Sequence, residues 1–369
     1  MYIYQQRAWP NFEWSNDLLL PLLSAVRHKQ GRLLGQMENI GFSLRSEAIL
    51  QTLTLDVIKS NEIEGDVLDK QQVRSSIARR LGIDAAGLIP ADRKVDGVVE
   101  MLLDATQNYL RDITGERLFG WHAAMFPGGH SGSHKITTGK WRNSDAGSMQ
   151  VVSGPMGKEI VHFEAPDASN LDKEMRAFIT WFNAVDNPDP VLKAGLAHFW
   201  FVTIHPFDDG NGRIARTIAD MQLARADGTT QRFYSMSVQI RKERAKYYNI
   251  LEKTQKGGLD ITEWLVWFLN CLDRALTTSE ETLSGILIKA RFWEMLKEKE
   301  INSRQQLMLN KLLDGVDGKL TTSKWAKITK SSQDSALRDI QLLMEQDILI
   351  KESQGGRSTS YILKAFDEK

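Results

Sequence analysis

His205, Pro206, Phe207, Asp208, Asp209, Gly210, Asn211, Gly212, Arg213, Ile214, Ala215 and Arg216 stand between two segments of helical apolar periodicity, 191–204 and 213–226. Pro206 and the residues 208–212 break the first helix, and regular spacing resumes at Ile214 and Ile218, so the loop ends at a new helix N-terminus. Unpaired amide groups there attract anions, and the two glycines remove side-chain bulk that would hold phosphate oxygens away. Asn211 adds an amide donor. Arg213 and Arg216, three apart, rise from neighbouring turns of one helix face and suit two phosphates of a polyphosphate. Asp209 beside those phosphates offers the carboxylate that Mg²⁺ takes together with phosphate oxygens. His205 is the side chain of this segment suited to accept a hydroxyl proton. Singly, each residue is an ordinary turn or core residue; the twelve positions together point to phosphoryl or nucleotidyl transfer.

The flanking chain is helical in pattern. The 369 residues predict two or three domains, and 42% apolar with 25% charged residues excludes collagen-like, disulfide-scaffold and wholly disordered classes. Lys plus Arg equals Asp plus Glu at 47 each, so no global field draws the chain to nucleic acid or an anionic membrane. One cysteine, Cys271, fits a reducing compartment, and neither the first ten residues nor the longest apolar segments read as a secretory signal or a bilayer span; a cytoplasmic location is expected.

Leu19, Leu22, Leu23 and Val26, then Ile49, Leu53, Val57 and Ile58, mark N-terminal helices, against which Tyr2, Ile3, Tyr4, Trp9, Phe12 and Trp14 are expected to pack. A glycine-rich loop is expected over 127–145, and a small hairpin from 149–152 and 160–163 about a turn containing Pro155 and Gly157. Helices follow over 171–184, 242–253 and 262–276, and a charged helix near 291–299 leads to a last unit of three helices, a strand, a Gly355–Gly356 turn and a second strand. That order suggests a winged helix. Its excess of three basic residues over 319–364 is too small to assert DNA binding.

At every fixed position the central segment resembles the Fic family signature. The resemblance, which covers about Glu116 to Leu276, implies a Fic helical bundle with a β-hairpin flap; with the patterns above, a mainly α fold is expected with an N-terminal helical domain over 1–90, the Fic domain over 91–285 and a winged-helix domain over 295–369. The implied reaction is transfer of AMP from ATP to a Tyr, Thr or Ser hydroxyl of a target protein or of the chain itself. His205 would be the base, Asp209 the Mg²⁺ ligand, and Gly210 to Arg216, with Ile214 and Ala215 in the helical turn, the nucleotide cradle. Phe207 would anchor the loop. Glycine at 212, where the kinase-like branch carries Lys, argues for attack at the α-phosphate. Val151, Val152, Ser153 and Gly154 look like the flap strand, where a target segment adds by main-chain pairing; a bland surface hairpin is the alternative. Tyr247, Tyr248 and Gln255 resemble the adenine-pocket wall, although the two tyrosines read equally well as packing residues.

Upstream, Ser60 and Glu64 lie one turn apart on a helix face, with Gly65 suited to ending the helix. This resembles the family's inhibitory motif, which implies that Glu64 pairs with Arg216 and denies it to the γ-phosphate. The same glutamate is also suited to orienting a water for AMP removal. His130 and His134 read as loop polarity rather than a zinc site, His198 as a core histidine and Cys271 as packing. Rival readings are a transcription regulator with a Fic sensor core and an enzyme using UTP or GTP. Related Fic proteins often form dimers, and protein docking by the winged helix is preferred to DNA contact.

Overall fold

The computed structural model describes the chain except residues 39, 86, 145–146, 155–157, 159, 186–187, 314, 316–317, 353–358 and 366–369. The turn expected at Pro155 and Gly157 and the turn at Gly355 and Gly356 lie outside the described residues. The fold is mainly helical, in chain order α1 (Asn16–Glu38), α2 (Phe42–Ile63), α3 (Lys70–Leu81), α4 (Arg93–Gln107), α5 (Gly115–Met125), β1 (His130–Ser131), β2 (His134–Lys135), β3 (Gln150–Ser153), β4 (Ile160–Glu164) and α6 (Leu171–Asn183). Then come α7 (Pro190–Ile204), α8 (Asn211–Asp227), α9 (Met236–Lys242), α10 (Arg244–Gln255), α11 (Thr262–Met295), α12 (Ser303–Leu313), α13 (Thr322–Thr329), α14 (Gln333–Glu345), β5 (Leu349–Lys351) and β6 (Tyr361–Leu363).

The chain forms two compact units, Met1–Gly35 with Ser46–Glu280, and Gln36–Arg45 with Glu281–Lys369. The residues expected as separate N-terminal and central domains fall, apart from short stretches, in the first unit. Its middle is α7, started by Asp189, whose carboxylate caps Val191, and by Pro190 in the first turn, where a missing N–H costs nothing. Every α7 residue after Pro190 is buried, which is why the segment is apolar all round rather than striped.

The aromatic lead-in packs elsewhere than expected. Tyr2 and Tyr4 meet Phe163 of β4 edge-on, while Trp9 and Phe12 meet Trp200 of α7. Trp9 donates to Glu174 of α6 at 2.8 Å, and Glu13 bridges Asp260 ahead of α11. An indole and an apolar ring gain more from these faces than from the polar outer surface of the N-terminal helices.

The second unit holds α12, α13, α14 and the antiparallel β5–β6 pair, in the expected order, around Trp325, Ile340 and Leu343. A bridge from Leu320 to Tyr361 adds to the hairpin.

Candidate active site

The segment between α7 and α8 is built so that its backbone cannot relax. His205 ends α7 in the left-handed region, φ 52°, with its N–H on the Phe201 carbonyl. Phe207 is buried, its ring stacked on His122 with centroids 4.2 Å apart and near-parallel planes. The Asn211 side chain accepts from the Phe207 N–H at 2.9 Å and donates to the Phe207 carbonyl at 2.8 Å. Asn211 is only 1% exposed, and its amide shapes the loop by accepting one bond from, and donating one bond to, the Phe207 backbone. Gly210, at φ 83°, leads into α8, and a Cβ there would press on Met125 Cε and Phe126.

The glycine-rich stretch wraps this loop, and two of its contacts come from residues that the sequence reading passed over. Arg142 donates through Nε to the His205 carbonyl at 2.8 Å and through a terminal nitrogen to the Pro166 carbonyl, and its N–H reaches Pro206. His122 donates through Nε2 to the Asp209 carbonyl and accepts the Gly139 N–H at Nδ1. Burial lowers the His122 pKa to about 4. Thr137 N–H caps Asp208 at 2.8 Å. The signal for Arg142 was a lone guanidinium beside Trp141 in a polar loop, too common a pattern to single out.

The first helical bond of α8 runs from Ile214 N–H to Gly210, so the N–H groups of 211–213 have no intrahelical acceptor. Arg213 and Arg216 flank that turn, each only 2% exposed. Arg216 Nε donates to Ser60 Oγ at 3.0 Å, Nη2 to the Ser60 carbonyl at 2.8 Å, and Nη1 lies 2.8 Å from Glu64 Oε1. Its pKa is raised: desolvation, the largest single influence, would lower it, and the Glu64 charge together with Tyr247, Tyr248 and the bond to Glu64 outweighs that. Tyr248 OH donates to Glu64 Oε2 at 3.1 Å. The helix ends before Gly65, left-handed at φ 87°, which presents Glu64 to α8. A Cβ on Gly212 would collide with Glu64 Oε1, so that glycine is the space into which the carboxylate fits.

His205 Nδ1 sits 3.2 Å from the Val202 carbonyl, which only accepts, so Nδ1 carries the proton and Nε2 keeps its lone pair. Burial lowers its pKa to about 4, the carbonyl contact opposing, so the ring is neutral near pH 7.

His205, Gly212 and Glu64 line a cavity of about 430 Å³, closed by Val151, Val152 and Ser153 of β3, by Tyr247, Tyr248 and Gln255 of α10, and by Arg244 and Glu252. Gly154 follows β3 in the left-handed region. The hairpin is fastened to α10: Ser153 Oγ is 2.6 Å from His162 Nε2, and His162 Nδ1 2.8 Å from Glu252 Oε2. Tyr247 is a core residue whose hydroxyl meets His198 at 3.0 Å, and Gln255 donates to Thr203. Tyr247 therefore packs into the core and also lines the cavity. His198 and Cys271 are buried as expected. Ile214 and Ala215 are buried, and the Ile214 N–H is taken by the Gly210 carbonyl.

Asp209 is 40% exposed in its side chain; Oδ1 accepts the Gly210 N–H, and Oδ2 accepts from Ser131 and lies 3.6 Å from Arg213 Nη2. No cluster of three or more His, Cys, Asp or Glu suited to a metal occurs among the described residues, and His130 and His134 lie in the β1–β2 pair. A half-exposed carboxylate beside the open N-terminus of α8 suits Mg²⁺, which keeps its waters and binds one or two carboxylates plus phosphates.

Residues 112–223 match the model of the Fic/DOC family, and residues 2–83 match a domain of unknown function, DUF4172. The chain is similar to a protein adenylyltransferase Fic of Nematostella vectensis, 25% identical over 74% of this chain and 58% of the relative. A protein of the same description from Drosophila melanogaster is 27% identical over 69% of this chain and 45% of the relative. The chain thus spans about half the length of these curated relatives. The crystal structure of a Fic family protein from Desulfovibrio desulfuricans G20 aligns with 96% of this chain and 98% of its own, TM-score 0.59, at 18% identity, a likeness of fold.

Proposed function

We propose that this chain, which carries a Fic/DOC domain, is a protein adenylyltransferase held in check by Glu64. The observation that carries the reading is one cavity shared by a neutral His205, the open N-terminus of α8 beside two buried arginines, and an extended strand edge at β3.

With ATP in that cavity, the N–H groups of 211–213 and the guanidiniums of Arg213 and Arg216 would hold the phosphates, and Tyr247, Tyr248 and Gln255 would flank the base. A Tyr, Thr or Ser hydroxyl of a target segment lying along β3 attacks the α-phosphorus, and the bond to the β-phosphate oxygen breaks. His205 Nε2 takes the hydroxyl proton, and pyrophosphate leaves. Asp209 would hold Mg²⁺, which when bound offsets negative charge on the phosphates. The pairing of Glu64 with Arg216 supports the brake, since a γ-phosphate and the carboxylate compete for one guanidinium. Glu64 faces the same cavity as His205, and this also supports water-driven AMP removal by the same site.

The helical unit with the β5–β6 pair is read as a winged helix that docks protein. Purified protein given ATP labelled at the α- or the γ-phosphate, with GTP and UTP alongside, tests the reaction. Protein should acquire the α-label only, more so in Glu64→Gly and not at all in Glu64→Gly/His205→Ala. Label from the γ-phosphate, or undiminished labelling without His205, would sink the proposal.

A further inference from the structure

The second arginine of the nest is occupied too, by a carboxylate outside the inhibitory pattern read from the sequence. Asp66, two residues past Glu64, places Oδ2 2.8 Å from Arg213 Nη1, and its Oδ1 accepts from Lys94 of α4 at 3.0 Å. Asn61 Oδ1 is 3.4 Å from the same Nη1, and the face of Phe126 lies 5.0 Å from Cζ. Arg213 is almost wholly buried, and its Nε has no hydrogen-bond partner among the described residues. Its charge is therefore balanced chiefly by Asp66, with Asp209 at 3.6 Å contributing less.

We propose that Asp66 is a second inhibitory carboxylate, holding Arg213 as Glu64 holds Arg216. This rests on the reading of the nest as a polyphosphate site. Glu64, Gly65 and Asp66 form one tight turn, with Glu64 N–H and Asp66 N–H both on the Asn61 carbonyl at 3.0 Å. Withdrawal of that turn releases both arginines, whereas removing the Glu64 side chain alone frees Arg216 and leaves Arg213 neutralised. Lys94 sits on a different helix and holds Asp66 between two cations, so a phosphate group binding Arg213 would compete with this carboxylate for the guanidinium.

The opposite role is also physically sensible: a carboxylate can aim an arginine at phosphate. The two roles differ in sign. The full chain is compared as Glu64→Gly and as Glu64→Gly/Asp66→Asn, with equilibrium binding of ATP with Mg²⁺ and the KM and kcat of α-label incorporation as readouts. Asparagine keeps the acceptor and removes the charge. Asp66 as a competitor predicts tighter ATP binding and a lower KM by about three- to tenfold, the half-exposed carboxylate being partly screened. Unchanged or weaker binding overturns the inference. A thermal melt checks folding, and Asp66→Ser serves if the asparagine variant is unstable. Were Glu64→Gly itself to incorporate no label, the transferase reading would fail while the ATP affinities still judged Asp66.

Discussion

The Arg142 guanidinium donates to the backbone carbonyl of His205, the residue whose imidazole faces the cavity. A side chain from the glycine-rich loop thereby fixes the peptide unit at the end of α7 without itself contacting the nest. Arg142→Leu keeps the backbone N–H bond to Pro206 but removes the two guanidinium bonds, to the His205 and Pro166 carbonyls. Turnover of the Glu64→Gly protein should fall by about 10- to 100-fold with a smaller change in the KM for ATP, since misplacing a reacting group by a fraction of an ångström is costly. Steady-state labelling separates the two parameters.

Ser60 holds Arg216 by side chain and backbone together. Ser60→Ala removes only the Oγ acceptor and leaves Glu64 paired. Labelling should rise about two- to fivefold, well short of the Glu64→Gly variant, in keeping with about 0.5 to 1 kcal/mol for one hydrogen bond whose partner keeps its other contacts. Labelling at or below the level of the unsubstituted protein would show that Ser60 takes no part in the brake.

Gly210→Ala meets two obstacles at once, a φ of 83° and a Cβ against Met125 and Phe126. The variant should lose about 1 to 3 kcal/mol in urea unfolding and lose ATP binding with it, because the loop and the nest share this residue. Stability within experimental error of the parent would mean that the loop adapts.

Buried neutral histidines make stability fall in acid. His122 and His198 are buried and neutral, with pKa values lowered to about 4 and about 3 by desolvation. Between those values and about 6.5 the unfolded chain binds protons that the folded chain does not. Stability is therefore fully present above pH 6.5 and drains away as pH falls toward 4, by on the order of 3 kcal/mol per histidine at most. Protonated His122 would also place a second hydrogen against the Gly139 N–H. Melting temperatures over pH 7 to 4 should show the decline, with a shallower slope in His122→Gln.

The helical core was legible because α7 and α8 are long, strongly patterned and marked by breaks at Pro206 and Gly210. The His205 to Arg216 segment and the Ser60 to Gly65 pattern were legible as local strings, and the structure brings them together around Arg216. Illegible were contacts made across long separations by residue types common everywhere: Arg142 to His205, His122 to Asp209, Asp66 to Arg213. The stapling of the loop by Asn211 was illegible for a related reason, since an amide that donates to a ligand and one that bonds its own loop look alike in sequence. The short helix α9 and the destination of the first aromatic residues depended on tertiary packing that periodicity does not encode.

Tyr2 and Tyr4 brace Phe163 from outside, so the strand that roofs the cavity leans on the first few residues of the chain. Proteolytic trimming of five residues would leave that ring facing water, and preparations differing only in such trimming would differ in how firmly the roof sits. Intact-mass verification of the N-terminus therefore belongs beside every activity measurement on this protein.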